Sequence, residues 1–313
     1  IKKRSNLGLK TLYDLGNTSS QPSTYDLGFK LGPKINAGGR VGKSSYGAEL
    51  LISDDPEKVY KIAIDLEKSN KERQAIEVLL SKEVNLEVKK YHNHPVLVIS
   101  GNNWHEGIIG IVASRIVERF KRPAIVITVE GDVAYGSGRS IPGFDLLGAL
   151  EGAKDLLTQY GGHRQAVGLQ LESRNLERFH RQFEQSVANR LVLENCVQRL
   201  AIDTEIRFAA ITHQFVRDLR RLEPFGAGNP RPLFVASGVR IMDVPHVVKS
   251  EHLRMTLRQG GKRFQAIAWG AAPAINRFQA GENGLKVAFS VTENTFRDIT
   301  TTQLTIADVK EDD

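Results

Sequence analysis

Hydrophobic periodicity changes character twice along this chain, and that succession constrains the fold more than any other feature. Over residues 54–82 apolar side chains recur at helical spacing (Val59, Ile62, Ala63, Leu66, Ala75, Ile76, Leu79) within a charged stretch. Asp54-Asp55-Pro56 supplies an acidic cap and a first-turn proline, so a long helix starts there. Its apolar stripe is narrow, as suits a connector between two domains. From His94 onward, short apolar runs alternate with amphipathic stretches. Strands are predicted over 95–100, 123–129 and 133–137, and helices over 105–120, 144–160 and 175–194. That alternation indicates an α/β layer domain.

Beyond Val197 the pattern changes again. Residues 200–206, 233–241, 252–258, 263–269, 286–294 and 301–309 read as strands, most of them alternating apolar and polar. One helix, 211–222, interrupts early. Five or six short strands over this length suggest a small barrel, and the five-stranded OB barrel is a platform suited to single-stranded nucleic acid. The fold class expected is therefore α/β plus all-β. The divisions fall at 1–53, 54–82, 83–194 and 195–313. Residues 1–53 are rich in Gly, Ser, Asn and Pro, and are expected to lack a core of their own and to pack against a part not in this sequence.

Composition narrows the class. The chain has 313 residues, 41% hydrophobic and 25% charged, enough for two or three compact domains. No apolar run approaches the roughly 20 residues that span a bilayer; the stretch 108–117 is broken by Arg115. A lone cysteine, Cys196, excludes an internal disulfide and a cysteine zinc cluster, and fits a reducing cytoplasm. The chain opens on Ile1 rather than methionine, which reads as a truncation. The net charge is +7. Residues 217–263 hold ten basic and four acidic residues, compatible with a polyanionic partner.

Four motifs could carry chemistry. Ala37-Gly38-Gly39-Arg40-Val41-Gly42-Lys43-Ser44 matches a relaxed phosphate loop, but such a loop needs a buried strand before it, and residues 28–35 hold two glycines and a proline. Gly161-Gly162-His163 offers unobstructed backbone N–H groups and an imidazole to a phosphate; the plainer alternative is a helix C-cap with Gly161 left-handed. In Gly136-Ser137-Gly138-Arg139-Ser140, a hydroxyl and a guanidinium two apart on an extended backbone share a face and suit a terminal phosphate. The helix from Phe144 would point its positive end at them; a turn plus N-cap is the alternative. In Trp104-His105-Glu106-Gly107 the His and Glu are adjacent rather than spaced as helical metal ligands, so they are expected to cap a helix or to touch the part not in this sequence. His92 and His94 read as isolated, and no metal site is expected in the chain.

Taken in order, Ile35-Asn36-Ala37-Gly38-Gly39-Arg40, Trp104-His105-Glu106-Gly107-Ile108-Ile109-Gly110, Ser137-Gly138-Arg139-Ser140, Gly161-Gly162-His163 with Ala166 and Gly168, and Leu222-Glu223-Pro224-Phe225-Gly226-Ala227-Gly228-Asn229-Pro230 closely resemble the RecJ single-stranded-DNA exonucleases of the DHH phosphoesterase superfamily. The resemblance runs from about residue 25 to the end. It implies that 1–53 is the tail of a DHH catalytic domain, 54–82 the connecting helix, 83–194 a DHH-associated α/β domain and 195–313 an OB-like β-barrel. It further implies a DNA-binding part of a 5′-to-3′ exonuclease of DNA repair and recombination, hydrolysing phosphodiesters with two Mn2+ or Mg2+ ions. The aspartates and Asp-His-His triplet that hold those ions in this family are not in this sequence, so the chain alone is expected to bind without cutting. By the same resemblance His163 is the catalytic residue that contacts the scissile phosphate. Ser137 and Arg139 hold the 5′-phosphate with Gly161 and Gly162 beside them, while Asn36 and Arg40 lie at the strand entrance. Single-stranded DNA is the implied partner, with a single-strand-binding protein and a helicase as further ones. A non-catalytic single-strand-binding module, another DHH-superfamily phosphodiesterase and, more remotely, a P-loop NTPase are the alternatives.

Overall fold

The computed structural model describes residues 6–16, 23–91, 93–191, 200–278, 284–296 and 299–312. Two compact units divide the chain, residues 1–198 and 199–313.

In the first unit, α1 (Leu7–Leu15), α2 (Gly32–Val41) and α3 (Tyr46–Ile52) pack on the amino-terminal half of α4 (Pro56–Val88). Leu12, Tyr13, Leu31 and Leu50 bury against Val59, Ile62, Ala63 and Leu66. Residues 1–53 were expected to lack a core of their own, and the core they join is indeed completed by α4. Glycine makes the cluster feasible: a Cβ at Gly8 would lie 2.1 Å from the Leu50 carbonyl oxygen, and one at Gly38 2.7 Å from that of Lys43. Short helices bury substantial apolar area when their backbones approach this closely.

Helix α4 starts where its cap requires. The Asp55 carboxylate accepts from the Glu57 and Lys58 N–H groups at 3.0 and 3.3 Å, with Pro56 at the first position. It runs 33 residues, to Val88 rather than to 82. The extension is held by Val84 and Val88, which with Leu80 bury against the sheet and the helix α5 (Glu106–Phe120). Glu77, only 3% exposed, sits between Arg73 of α4 and Arg115 of α5, so the charge is paired and links the helices.

A five-stranded sheet follows: β1 (Leu97–Asn102), β2 (Ala124–Glu130), β3 (Val133–Arg139), β4 (Leu157–His163) and β5 (Ala166–Glu172), in order β1-β2-β3-β5-β4. β1 and β2 are parallel, joined by α5 (Glu106–Phe120); all other pairs are antiparallel. Alternate residues of β1 and β2 face opposite cores. Leu97, Ile99, Ala124 and Val126 meet α4 and α5, whereas Val98, Ile125 and Ile127 meet α6 (Leu146–Glu151) and α7 (Leu176–Ala188).

The helix expected over 144–160 is corrected to the single short α6, a 3₁₀ turn (Lys154–Leu156) and the edge strand β4. Gly152 ends α6, and from Leu157 the backbone pairs with β5 instead. β5 itself was not expected as a strand. Helix α7 ends at Ala188, short of 194; residues 192–199 lie outside the described set.

The second unit contains β6 (Thr204–Glu205), α8 (His213–Arg220), β7 (Phe234–Ile241), β8 (His246–Val248), β9 (His252–Gln259), β10 (Lys262–Ala268), β11 (Leu285–Phe296) and β12 (Ile299–Glu311). Strand order is β6-β7-β11-β12-β10-β9-β8, and two residue pairs between β7 and β9 curl the sheet back on itself without fully closing it. Phe208, Phe234, Leu257, Val287, Phe289 and Leu304 fill the interior. The strand expected over 200–206 shrinks to two residues, because Asp203 and Ile206 hydrogen-bond to the rim of β7 from an irregular backbone. The helix expected over 211–222 is confined to α8 by the Thr212 cap.

Candidate nucleic-acid interface

β3 brings Ser137 and Arg139 to one face of the first sheet, two residues apart. Register extends that face across two more strands. Ser137 pairs with Gly168 of β5, which pairs with Gly161 of β4; Arg139 pairs with Ala166, which pairs with His163. Paired residues point to the same side, so hydroxyl, bare backbone and guanidinium share a surface with the imidazole. Two strand spacings, about 10 Å, separate the Arg139 and His163 backbones.

Helix α5 covers β1–β3 on this face and leaves β5 and β4 open. The resulting cavity, about 550 Å³, is lined by Glu106 and Ile109 of α5 with Tyr135, Ser137, Gln159, Gly161 and Gly168 of the sheet. Gly161 and Gly168 form a bare floor, since a Cβ at either would meet nothing within 4 Å. Gly110 sets the opposite wall: a Cβ there would lie 2.9 Å from Ser137 Oγ and 3.0 Å from Arg139 Nη2.

The Arg139 guanidinium is half-buried; its Nη1 donates to Ser137 Oγ at 3.0 Å and to the Gly138 carbonyl at 2.7 Å. Burial first, then the charge of Arg40, lower its hold on its proton. Arg40 ends α2, where its Nη1 donates to the Gly107 carbonyl at 2.9 Å in the first turn of α5. Neither guanidinium forms an ion pair among the described residues. Two guanidiniums without a carboxylate partner make the local potential positive. Asn36 stands one turn before Arg40 on α2 and shares with it, Arg73 and Ile111 a cavity of about 220 Å³.

The β4–β5 hairpin fixes the remaining pair. Gly162 has φ +140°, and a Cβ there would fall 2.3 Å from the Ala166 carbonyl oxygen, so only glycine fits. The alternative of a helix C-cap at Gly161 is corrected, since these residues end an edge strand. Exposed His163 accepts the Gln165 N–H at Nδ1, 3.2 Å away, which leaves the proton of the neutral ring on Nε2, free to donate. His105 caps α5 as expected, accepting from Gly107 N at 3.1 Å. The objection to a phosphate loop at residues 37–44 holds: Gly38, Gly39 and Arg40 lie inside α2, and helical residues rather than a strand precede them.

The structure thus gathers Ser137, Arg139, Arg40 and Gly161, sets Asn36 behind Arg40, and places Gly162 and His163 at a hairpin rim. Sequence reasoning missed Tyr135 and Gln159, and gave no role to Gly110 and Gly168, which lie in the motifs that carry the resemblance. Both were visible as glycines within regular elements; at Gly110 that pattern marks close approach, and at Gly168 it leaves the sheet surface bare. His94, expected to stand alone, lies instead with His180 and Glu184, the one His/Asp/Glu group among the described residues that could hold a metal ion. His92 lies outside the described residues.

In the second unit, Arg258 of β9 pairs with Arg263 of β10 and with Arg240 of β7, so three exposed arginines line one row. Like charges directly opposite cost stability, which a polyanion would recover. Arg254 lies four residues along the same strand face. Just beyond β10, Trp269, 60% exposed, packs edge-to-face with His252, ring centres 4.7 Å apart.

Comparison with known proteins agrees with this division. Residues 93–189 match the DHHA1 domain family, and residues 202–308 match the RecJ OB domain family. The single-stranded-DNA-specific exonuclease RecJ of Salmonella typhimurium is 31% identical over 96% of this chain and 54% of its own length. RecJ of Bacillus subtilis is 29% identical over 86% of this chain and 35% of its own. The crystal structure of Thermus thermophilus RecJ with Mn2+ superposes on 99% of this chain and 44% of its own, with TM-score 0.83 and 25% identity. The chain spans about half, or less, of the length of these relatives.

Proposed function

The chain belongs to the RecJ family, matching the carboxyl-terminal part of its members, and on that premise we propose that it is the strand-gripping portion of a 5′-to-3′ single-stranded-DNA exonuclease. One observation carries the reading: the half-buried Arg139 guanidinium, held on the Ser137 hydroxyl at 3.0 Å beside a bare glycine floor, forms no ion pair among the described residues. A terminal phosphate satisfies all of these groups at once. Ser137 and Arg139 hold the 5′-phosphate, the Gly161 backbone admits the first nucleotide, and Asn36 with Arg40 flanks the arriving strand. His163 donates from Nε2 to the scissile phosphate, where charge builds as the bond breaks. The stripe Arg240-Arg258-Arg263 with Trp269 holds the trailing strand by charge and base stacking.

In the family, Mn2+ or Mg2+ would supply the attacking hydroxide. The candidate residues do not fit such ions: apart from the Ser137 hydroxyl and a single exposed imidazole, His163, they are guanidiniums, an amide and backbone glycines with no carboxylate, so no step is assigned to a metal here. Hydrolysis, repair and recombination, cytoplasmic location, and contact with a single-strand-binding protein and a helicase belong to the proposed complete enzyme. No described helix is long and apolar enough to cross a membrane.

The test is binding of a 5′-phosphorylated oligonucleotide by the wild-type chain and by Arg139→Gln, with products run on a gel. The account expects the variant to lose the preference for 5′-phosphate over 5′-hydroxyl, and neither protein to cleave. An unchanged preference in the variant would remove Arg139 from the site.

A further inference from the structure

His94 ends the segment that leads into β1, while His180 and Glu184 stand one turn apart on α7. A separation of four places both α7 side chains on one helix face. Phe179, Phe183 and Val187 anchor the neighbouring face in the core, so the face is fixed in rotation. The opposing segment is fixed as well: Arg122 donates to the Tyr91 and His94 carbonyls at 2.9 and 2.6 Å, cross-linking the turn that carries His94. Tyr91 lies against both imidazoles, 5.2 Å from the His94 ring and 5.4 Å from that of His180.

The three donors converge. His94 Nδ1 is 2.5 Å from Glu184 Oε1, and one atom of each of the three residues lies within 4.8 Å of the others. His180 Nε2 is buried with no hydrogen-bond partner among the described residues. Burial, the larger influence, holds the His180 imidazole below its ordinary pKa, so the neutral ring that ligates metals is favoured. We propose that His94 Nδ1, His180 Nε2 and Glu184 bind one divalent transition-metal ion, Zn2+ foremost, with solvent in the fourth position. Two imidazoles and one carboxylate form a three-ligand set suited to zinc, with metal–ligand distances of about 2.0–2.2 Å. Such distances place tetrahedral donors roughly 3.3 Å apart, so the His94–Glu184 pair, at 2.5 Å, would open and the wider separations, up to 4.8 Å, would close by small side-chain rotations. Mg2+, which prefers oxygen ligands, is excluded by the two nitrogens. The ion would clip the start of β1 to α7 across the layers of the α/β sheet, a site none of the proposed DNA contacts uses.

The test is a Co2+ titration of the chelator-stripped 313-residue chain followed by visible absorption, then Zn2+ displacement and thermal melting. We expect one Co2+ per chain, displacement by one equivalent of Zn2+ but not by millimolar Mg2+, and a higher melting temperature with Zn2+. Loss of a ligand should weaken binding at least as much as loss of a supporting contact, on the order of 10–100-fold, in His180→Ala. Glu184→Gln, which keeps the side chain's size, should weaken it as well and lose the Zn2+-dependent melting shift. Absence of a stoichiometric Co2+ complex, or affinity unchanged in both folded variants, would overturn the site.

Discussion

Gly110 faces the Ser137–Arg139 pair from the middle of α5, and replacing it with alanine should move stability and binding in opposite directions. Alanine in a helix interior is favoured over glycine by about 1 kcal/mol. The new methyl would sit 2.9 Å from Ser137 Oγ and 3.0 Å from Arg139 Nη2, both ends of side chains rather than backbone. Those ends yield at modest cost, so folding should change by between zero and about 1 kcal/mol in favour of the variant. For a unit of this size that is a rise in melting temperature of at most about 4 °C. The displaced guanidinium would lose a charge-assisted bond to the phosphate, worth about 1.5–3 kcal/mol, or roughly 10- to 150-fold in affinity. Calorimetry gives the first quantity. Fluorescence anisotropy with 5′-phosphorylated and 5′-hydroxyl strands gives the second. A variant that melts much lower, or that keeps its full preference for the phosphorylated end, would refute the assignment of this wall.

Three further outcomes are expected. Gly162→Ala, forced into φ +140° and against the Ala166 carbonyl, should destabilise the first unit by about 1–3 kcal/mol, read from denaturant melts. Arg258→Gln should relieve the arginine row, leaving stability equal or slightly higher, while lowering the salt-dependence slope of single-strand binding by about 0.7, one phosphate contact. Because burial lowers the folded-state pKa of His180, the unfolded chain takes up that proton first, near its ordinary value of 6.5. Metal-free stability should therefore be full above about pH 6.5 and fall as the pH drops toward the folded-state pKa. Difference melts between wild type and His180→Phe should show this loss only in the wild type.

Much of the architecture was legible because it is local. Asp55 and Pro56 mark the start of α4 whatever surrounds them, and the two-residue period of β3 puts Ser137 and Arg139 on one face in any extended backbone. What failed depended on partners. Leu147, Leu150 and Leu157 keep helical spacing across residues 144–160, yet Gly152 breaks the helix and β5 captures the backbone beyond it. As an exposed edge, β4 shows no apolar alternation to betray it. The rows joining Ser137 to Gly161 and Arg139 to His163 rest on register, and Arg40 reaches Arg139's surroundings only through the α2–α5 contact at Gly107. His94 and His180 are 86 positions apart in the chain, so no spacing rule could join them.

The claim that this chain grips single-stranded DNA by its 5′ end is tested most directly by one titration: anisotropy of the wild-type chain against a 5′-phosphorylated single strand, the same strand with a 5′-hydroxyl, and its duplex, each repeated across salt concentrations. The account predicts tightest binding to the phosphorylated single strand, with affinity falling steeply and log-linearly in salt. Equal affinity for all three, or binding indifferent to salt, would contradict it.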